Sequence, residues 1–152
     1  MAEKMKIMVI NGPNLNMLGV REVGIYGSES YADLEALIEN YANENGIEAT
    51  VLQSNSEGEI IDFIHHALGN YDGIIINPGA YTHYSYAIHD ALISVNLPTV
   101  EVHISNVYKR EEFRHKSVTA PACTGQIAGL GFRGYLLAMD YLSGEATDSA
   151  KN

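Results

Sequence analysis

The sequence predicts an α/β fold, a doubly wound five-stranded parallel sheet with helices on both faces. Three observations carry this prediction. Short β-branched, apolar runs alternate with segments of helical period along the chain, as when crossover helices join parallel strands. The strand runs are rich in β-branched and apolar residues, which suits strands covered on both sides. The chain has 152 residues and shows no repeat, linker or low-complexity segment. We therefore expect one domain over 1–152, with a core over about 6–142 and a frayed tail over 144–152. A chain of this length buries roughly 70% of its unfolded surface and needs no disulfide or metal to fold.

Taken in order, Lys6 to Ile10 reads as the first strand, running into the turn-rich Asn11-Gly-Pro-Asn-Leu-Asn16. From Met17 to Tyr31 there is no period, and Gly19, Gly24 and Gly27 interrupt it, which predicts a long, lid-like loop. A helix follows with Tyr31, Leu34, Leu37, Ile38 and Tyr41 on one face, capped by Ser30 and Asp33 and ended by Gly46. Ala49 to Leu52 is the second strand, leading to Gln53-Ser-Asn55. Ser56 and Glu59 predict a capping box for a helix carrying Ile60, Ile61, Ile64 and Leu68, with His65 and His66 on its solvated face and Gly69 as its stop. Gly73 to Ile76 is the third strand, leading to Asn77-Pro-Gly79. The next helix spans about Ser85 to Val95, with Ala87, Ile88, Ala91, Leu92 and Val95 inward. Pro98 opens the fourth strand, Thr99 to Val102, and Gln126 to Leu130 is the fifth. Gly134 to Leu142 is the last helix, with Leu137, Tyr141 and Leu142 inward.

Composition removes several function classes. A net charge of −10 and a pI near 4.9 argue against nucleic acid as a partner. Cys123 is the sole cysteine, which removes a disulfide framework or Cys-rich zinc site and fits a reducing, cytoplasmic compartment. No signal peptide is visible and no apolar run approaches about 18 residues, so no membrane role is expected. Of four arginines, Arg21, Arg110 and Arg114 lie in or beside polar motif segments, which hints at a small anionic ligand.

Ligands of such sheets bind outside the carboxyl ends of the strands. Those ends carry Asn11 and Asn14, Gln53 and Asn55, Asn77, and His103. Each asparagine alone is a turn former, but their convergence on one rim points to a site. Glu101 and His103 are two residues apart and share a strand face. A carboxylate there can fix the imidazole tautomer and raise its pKa, which suits a general acid. A structural pair is the competing reading. The Ile104 and Ser105 amides follow, where an anion could sit. In the loop, Arg21 beside Tyr26 would favour a tyrosinate base. Lowering a phenol by two units takes about 2.7 kcal/mol, and a loop tyrosine used for packing is the alternative.

Other motifs lead nowhere. Gly129-Leu-Gly-Phe-Arg-Gly134 spells a dinucleotide fingerprint, but no strand follows to complete the unit, so these glycines are assigned to close helix–sheet packing. His83, His89 and His103 lack metal-ligand spacing. None of the five lysines directly ends a strand, which disfavours an imine mechanism, and there is no G-x-S-x-G. Neither cofactor nor metal is expected.

Three blocks then resemble one family. Asn11-Gly-Pro-Asn-Leu-Asn-Met-Leu-Gly-Val-Arg21 with Ile25-Tyr-Gly27 is similar to the opening signature of type II 3-dehydroquinate dehydratases. Asn77-Pro-Gly-Ala-Tyr-Thr-His83 through Asp90-Ala91, and Glu101-Val-His-Ile-Ser-Asn106 with Arg110-Glu-Glu-Phe-Arg114, match its other two blocks in order, over about Lys6 to Leu142. The resemblance implies a flavodoxin-like fold, a homododecamer of trimers, and cofactor-free anti elimination of water from 3-dehydroquinate in the shikimate pathway or in quinate breakdown. It implies Tyr26 as the base, Arg21 holding it ionised, and Asn14 placing a water against the enolate. His103, oriented by Glu101, is implied as the acid. Asn77 and the Ile104 and Ser105 amides would hold the carboxylate, and His83 and Arg114 the ring hydroxyls. Asp90 would reach a neighbouring subunit's site, and Arg110 would support the lid. Val23-Gly24 departs from the usual Pro-Glu, and His89 stands where arginine is usual. Two other readings are kept in view: a flavodoxin-like FMN or nucleotide module with Asn11–Asn16 as its phosphate loop, and a non-enzymatic regulatory domain.

Overall fold

The apolar runs form β1 (Met5–Asn11), β2 (Ile47–Gln53), β3 (Gly73–Asn77), β4 (Thr99–His103) and β5 (Gly125–Ala128). The computed structural model describes residues 3–20, 23–26 and 29–151. All pairings are parallel, in the order β2-β1-β3-β4-β5. This is the flavodoxin-like arrangement, in which strand order reverses beside β1 and a crevice opens between β1 and β3. Asn11 and Asn77 are register partners there, each the last residue of its strand.

Alternate strand residues feed two cores, because successive side chains point to opposite faces. Ile7, Val9, Ile75, Val100 and Val102 meet α2 (Tyr31–Glu44) and α5 (Arg133–Lys151). Met8, Ile10, Ile74 and Ile76 meet α3 (Glu57–Ala67) and α4 (Tyr86–Val95). On β4 the residues opposite Val100 and Val102 are Thr99, Glu101 and His103, all buried. The polar pair thus shares one face of the strand.

The helix ends follow from local chemistry. Ser30 and Asp33 form a reciprocal capping box on α2, and Gly46 at φ +67° takes the left-handed turn after it. On α3 only half of the expected box forms. Ser56 Oγ accepts from the Glu59 amide, but the Ser56 N–H is already held by Ser54 Oγ at 3.0 Å. That helix stops at Ala67, so Leu68 faces outward. On α4 the inward stripe is Ile88, Ala91, Leu92 and Val95, and Ala87 is exposed.

The last helix departs most from expectation. Its inward residues are Tyr135, Ala138, Met139 and Leu142, while Leu137 and Tyr141 are 43% and 46% exposed. The reason lies at Gly134, where an added Cβ would come within 3.3 Å of Val102 Cγ1 and 3.5 Å of Ile127 Cγ2. The bare backbone seats against β4 and β5, which turns Tyr135 and its i+3, i+4 and i+7 partners inward. This matches the packing role assigned to that glycine. The backbone stays helical through Lys151, beyond Leu142 where the helix was expected to end. β5 is shorter than expected, ending at Ala128, because Gly129 at φ +88° turns the chain. Inside the predicted lid, α1 (Val23–Tyr26) is a single helical turn that the aperiodic sequence did not announce. No helix among the described residues is long and apolar enough to cross a membrane.

Candidate active site

The strand ends position the site. A cavity of about 140 Å³ opens outside β1, β3 and β4, with Asn14, Asn77, His83 and His103 on its lining. Ile104, Ser105, Arg110 and Arg114 complete the set of expected residues that border it. A larger hollow of about 420 Å³ adjoins it, and His103 and Arg114 line both. Eight residues chosen from three separate chain segments therefore face one space.

The β1 loop is held from below by residues that do not line that space. Gln53 Nε2 donates to Gly12 O and to Asn55 Oδ1, both at 3.1 Å. Asn55 Oδ1 also accepts from the Asn14 amide at 3.0 Å, which supports Asn14 in its left-handed conformation at φ +69°. Gln53 and Asn55, placed on the ligand rim by sequence, are scaffold for Asn14.

His103 and Glu101 form the polar core of the site. Ring Nε2 lies 2.8 Å from Glu101 Oε2. An ionised carboxylate only accepts, so Nε2 carries hydrogen and Nδ1 is left for another partner. Glu101 is 0% exposed. Its Oε2 also accepts from Ser117 Oγ at 2.9 Å and Gln126 Nε2 at 2.8 Å, while Oε1 accepts from Thr119 Oγ1. Thr82 Oγ1 lies 2.7 Å from both the Ser117 and Thr119 hydroxyls. Burial pushes the Glu101 carboxyl up, but its hydrogen bonds and the charge of His103 outweigh that and hold it below the usual carboxylate range. Glu101 is thus a fixed buried anion behind the imidazole.

His83 behaves differently. Its Nδ1 donates to Lys116 O at 2.8 Å. Burial lowers its pKa from the ordinary 6.5, with the neighbouring His103 and Arg114 charges adding to the effect. At neutral pH it is an uncharged imidazole with Nε2 as acceptor. Arg114 donates from Nε to Glu111 Oε2 at 3.1 Å and lies over the Phe113 ring, and Arg110 Nη1 donates to Ser105 Oγ at 3.4 Å.

Of the other expected residues, Glu101 lies behind His103 rather than on the lining. Asp90 is exposed on α4 and does not line the cavity. Arg21 lies outside the described residues, as does the Tyr26 side chain, whose backbone belongs to α1. Among the described residues no group of three His, Cys, Asp or Glu side chains is placed to hold a metal.

Sequence reading missed the Glu101 donors. Gln126 was findable, since it is the register partner of Glu101 once β5 is placed beside β4. Ser117 and Thr119 sit in an irregular segment whose pattern predicts nothing. Tyr135 was missed because the apolar stripe of α5 was drawn through Leu137 and Tyr141.

Fold and site together define a flavodoxin-like α/β protein with an imidazole–carboxylate pair in an arginine-bordered cleft. Residues 5–143 match the family described as Dehydroquinase class II, and the chain belongs to that family. It is 66% identical over 137 residues to a 3-dehydroquinate dehydratase of Lachnoclostridium phytofermentans, covering 90% of this chain and 94% of that protein. It is 64% identical over 139 residues to the protein of that name from Clostridium perfringens, covering 91% and 96%. The crystal structure of a type II dehydroquinase from Butyrivibrio crossotus superposes with a TM-score of 0.92 at 59% identity, covering 93% of this chain and 99% of that one.

Proposed function

We propose that this chain dehydrates 3-dehydroquinate to 3-dehydroshikimate by anti elimination through an enolate. Tyr26, held as tyrosinate by Arg21, takes the C2 proton, and the electron pair moves onto the C3 oxygen. A water placed by Asn14 stabilises that enolate. When the carbonyl re-forms, the C1–O bond breaks and a C1–C2 double bond appears. His103 gives its proton to the departing hydroxyl, which leaves as water. Hydroxide is a poor leaving group, so the acid is required, and a ketone's α-proton is weakly acidic, so base and enolate stabilisation are required.

The observation that carries this reading is His103 on the cavity wall with the buried Glu101 behind it. Its Nε2–H is committed to Glu101 at 2.8 Å. The proton passed to the leaving group is therefore the one on Nδ1, with the Glu101 carboxylate held against Nε2 on the other side of the ring. Asn77 and the Ile104 and Ser105 amides take the substrate carboxylate, and His83 and Arg114 its ring hydroxyls. Arg110 steadies the lid. Asp90, exposed here, completes the site of a neighbouring subunit in a homododecamer. The enzyme works in the cytoplasm without a cofactor.

The test is His103→Ala. Turnover of 3-dehydroquinate should fall by about 10²–10⁴-fold, the usual worth of a positioned acid. A folded variant with near-normal kcat would overturn the acid assignment.

A further inference from the structure

Tyr135 is wholly buried at 0% exposure, and the chemistry above makes no use of it. Its hydroxyl lies at the strand-order reversal, between the last residues of β1 and β3. It donates to Asn11 Oδ1 at 2.7 Å and accepts from Asn77 Nδ2 at 3.0 Å. The direction of these bonds is forced. The Gly79 N–H can only donate, and it meets Asn77 Oδ1 at 3.1 Å. That turns Asn77 Nδ2 toward Tyr135, so the phenol oxygen accepts and its single hydrogen goes to Asn11. Asn11 Nδ2 in turn faces Tyr31 Oη at 3.4 Å, on the first residue of α2.

An asparagine side chain is otherwise free to rotate or flip, which would exchange donor for acceptor in front of a ligand. Here Oδ1 is tied to Gly79 and one Nδ2 hydrogen to Tyr135. The second Nδ2 hydrogen is the remaining donor, and Asn77 lines the cavity. We propose that Tyr135 is a positioning residue for carboxylate recognition: its buried hydroxyl locks the Asn77 amide with an N–H available to the substrate carboxylate. The proposal rests on the reading of Asn77 as the carboxylate ligand. It assigns α5 a part in specificity, although α5 contributes no residue to the cavity lining.

The test compares wild type with Tyr135→Phe on 3-dehydroquinate and on two inert probes. Quinate has a carbinol at C3 and cannot enolise, and its decarboxylated analogue (hydrogen in place of the carboxylate at C1) has no acceptor for the Asn77 amide. Locking a ground-state contact is uniform binding, so Tyr135→Phe should raise KM by about tenfold with kcat within about twofold. Quinate affinity should fall by a similar factor, and that of the decarboxylated analogue should stay unchanged. In an Asn77→Ala background, Tyr135→Phe should add nothing further to KM. Equal loss for both probes, or additive effects on KM, would show a merely structural tyrosine and overturn the proposal. Should Tyr135→Phe fail to fold, Asn11→Ala carries the test, because it frees the phenol hydrogen to turn toward Asn77 and unlocks the amide. The same KM-only signature is expected, and its absence counts against the proposal. Wild type that neither turns over 3-dehydroquinate nor binds quinate would defeat the underlying reading of the site. Wild type that does both, with Tyr135→Phe indistinguishable from it, would defeat the Tyr135 proposal alone.

Discussion

Replacing Glu101 by glutamine removes one charge from the most enclosed polar group of the site while keeping its shape. Three donors converge on Oε2, from His103, Ser117 and Gln126, at 2.8 to 2.9 Å. The least costly arrangement keeps the glutamine carbonyl there and turns the amide nitrogen to Thr119, whose hydroxyl can rotate to accept. Each of the three bonds then changes from charge-assisted to neutral, a loss of roughly 1 kcal/mol apiece. Relief from burying a charge returns part of this, so we expect about 2 kcal/mol less stability at pH 7. The pH dependence gives a sharper check. The folded Glu101 carboxyl is held below its ordinary 4.5. The unfolded chain therefore binds the proton more readily, and the ionised form's stabilisation is fully present above about 4.5. It declines below that value and is gone once pH passes below the folded pKa. Denaturant unfolding of both proteins should show a gap that is constant from pH 7 to about pH 5 and narrows below 4.5. A gap that is absent at pH 7, or that widens in acid, would refute the description of Glu101 as a fixed buried anion. Activity should fall too, though less than for His103→Ala, because the ring is still oriented by a neutral acceptor.

Three further outcomes are expected. Tyr26→Phe should bind quinate normally and lose turnover, with Arg21→Lys recovering less than wild type because a point charge cannot replace the guanidinium fork; near-normal kcat in Tyr26→Phe would end its assignment as base. Gly12→Ala would place a Cβ 2.4 Å from the Pro78 carbonyl oxygen, against backbone on the neighbouring strand exit. That overpacking should cost about 1–3 kcal/mol by denaturant midpoint, and an unchanged midpoint would contradict it. Asp90→Ala should reduce activity or weaken assembly by sedimentation, and a variant normal in both would remove Asp90 from the site.

The sheet was legible because its central strands are buried on both faces, so Ile7 to Ile10 and Ile74 to Ile76 stand out as apolar runs, and Val100 and Val102 as β-branched residues flanking Glu101, whatever their neighbours are. The polar pair was legible for a related reason: the two-residue period of β4 places Glu101 and His103 on one face before any partner is known. Helix faces were less so. Leu137 and Tyr141 are as apolar and as well spaced as the true stripe of α5, and what selects the other face is the close seating of Gly134 on Val102, a tertiary contact. The support of Glu101 was illegible for the same reason. Ser117 and Thr119 have meaning only once an aperiodic segment has folded over β4. Gln53 and Asn55 show the opposite error, since polar residues at a strand exit serve the neighbouring loop as readily as a ligand.

The proposed activity is acid–base dehydration of 3-dehydroquinate by this chain's own side chains. The direct measurement mixes chelator-treated protein with 3-dehydroquinate at neutral pH and follows the ultraviolet absorbance of the conjugated enone, with and without borohydride. Steady growth of enone absorbance, catalytic in protein, is expected, with no enzyme inactivation by borohydride in the presence of substrate. Absence of enone formation, or inactivation by borohydride only when substrate is present, would contradict it.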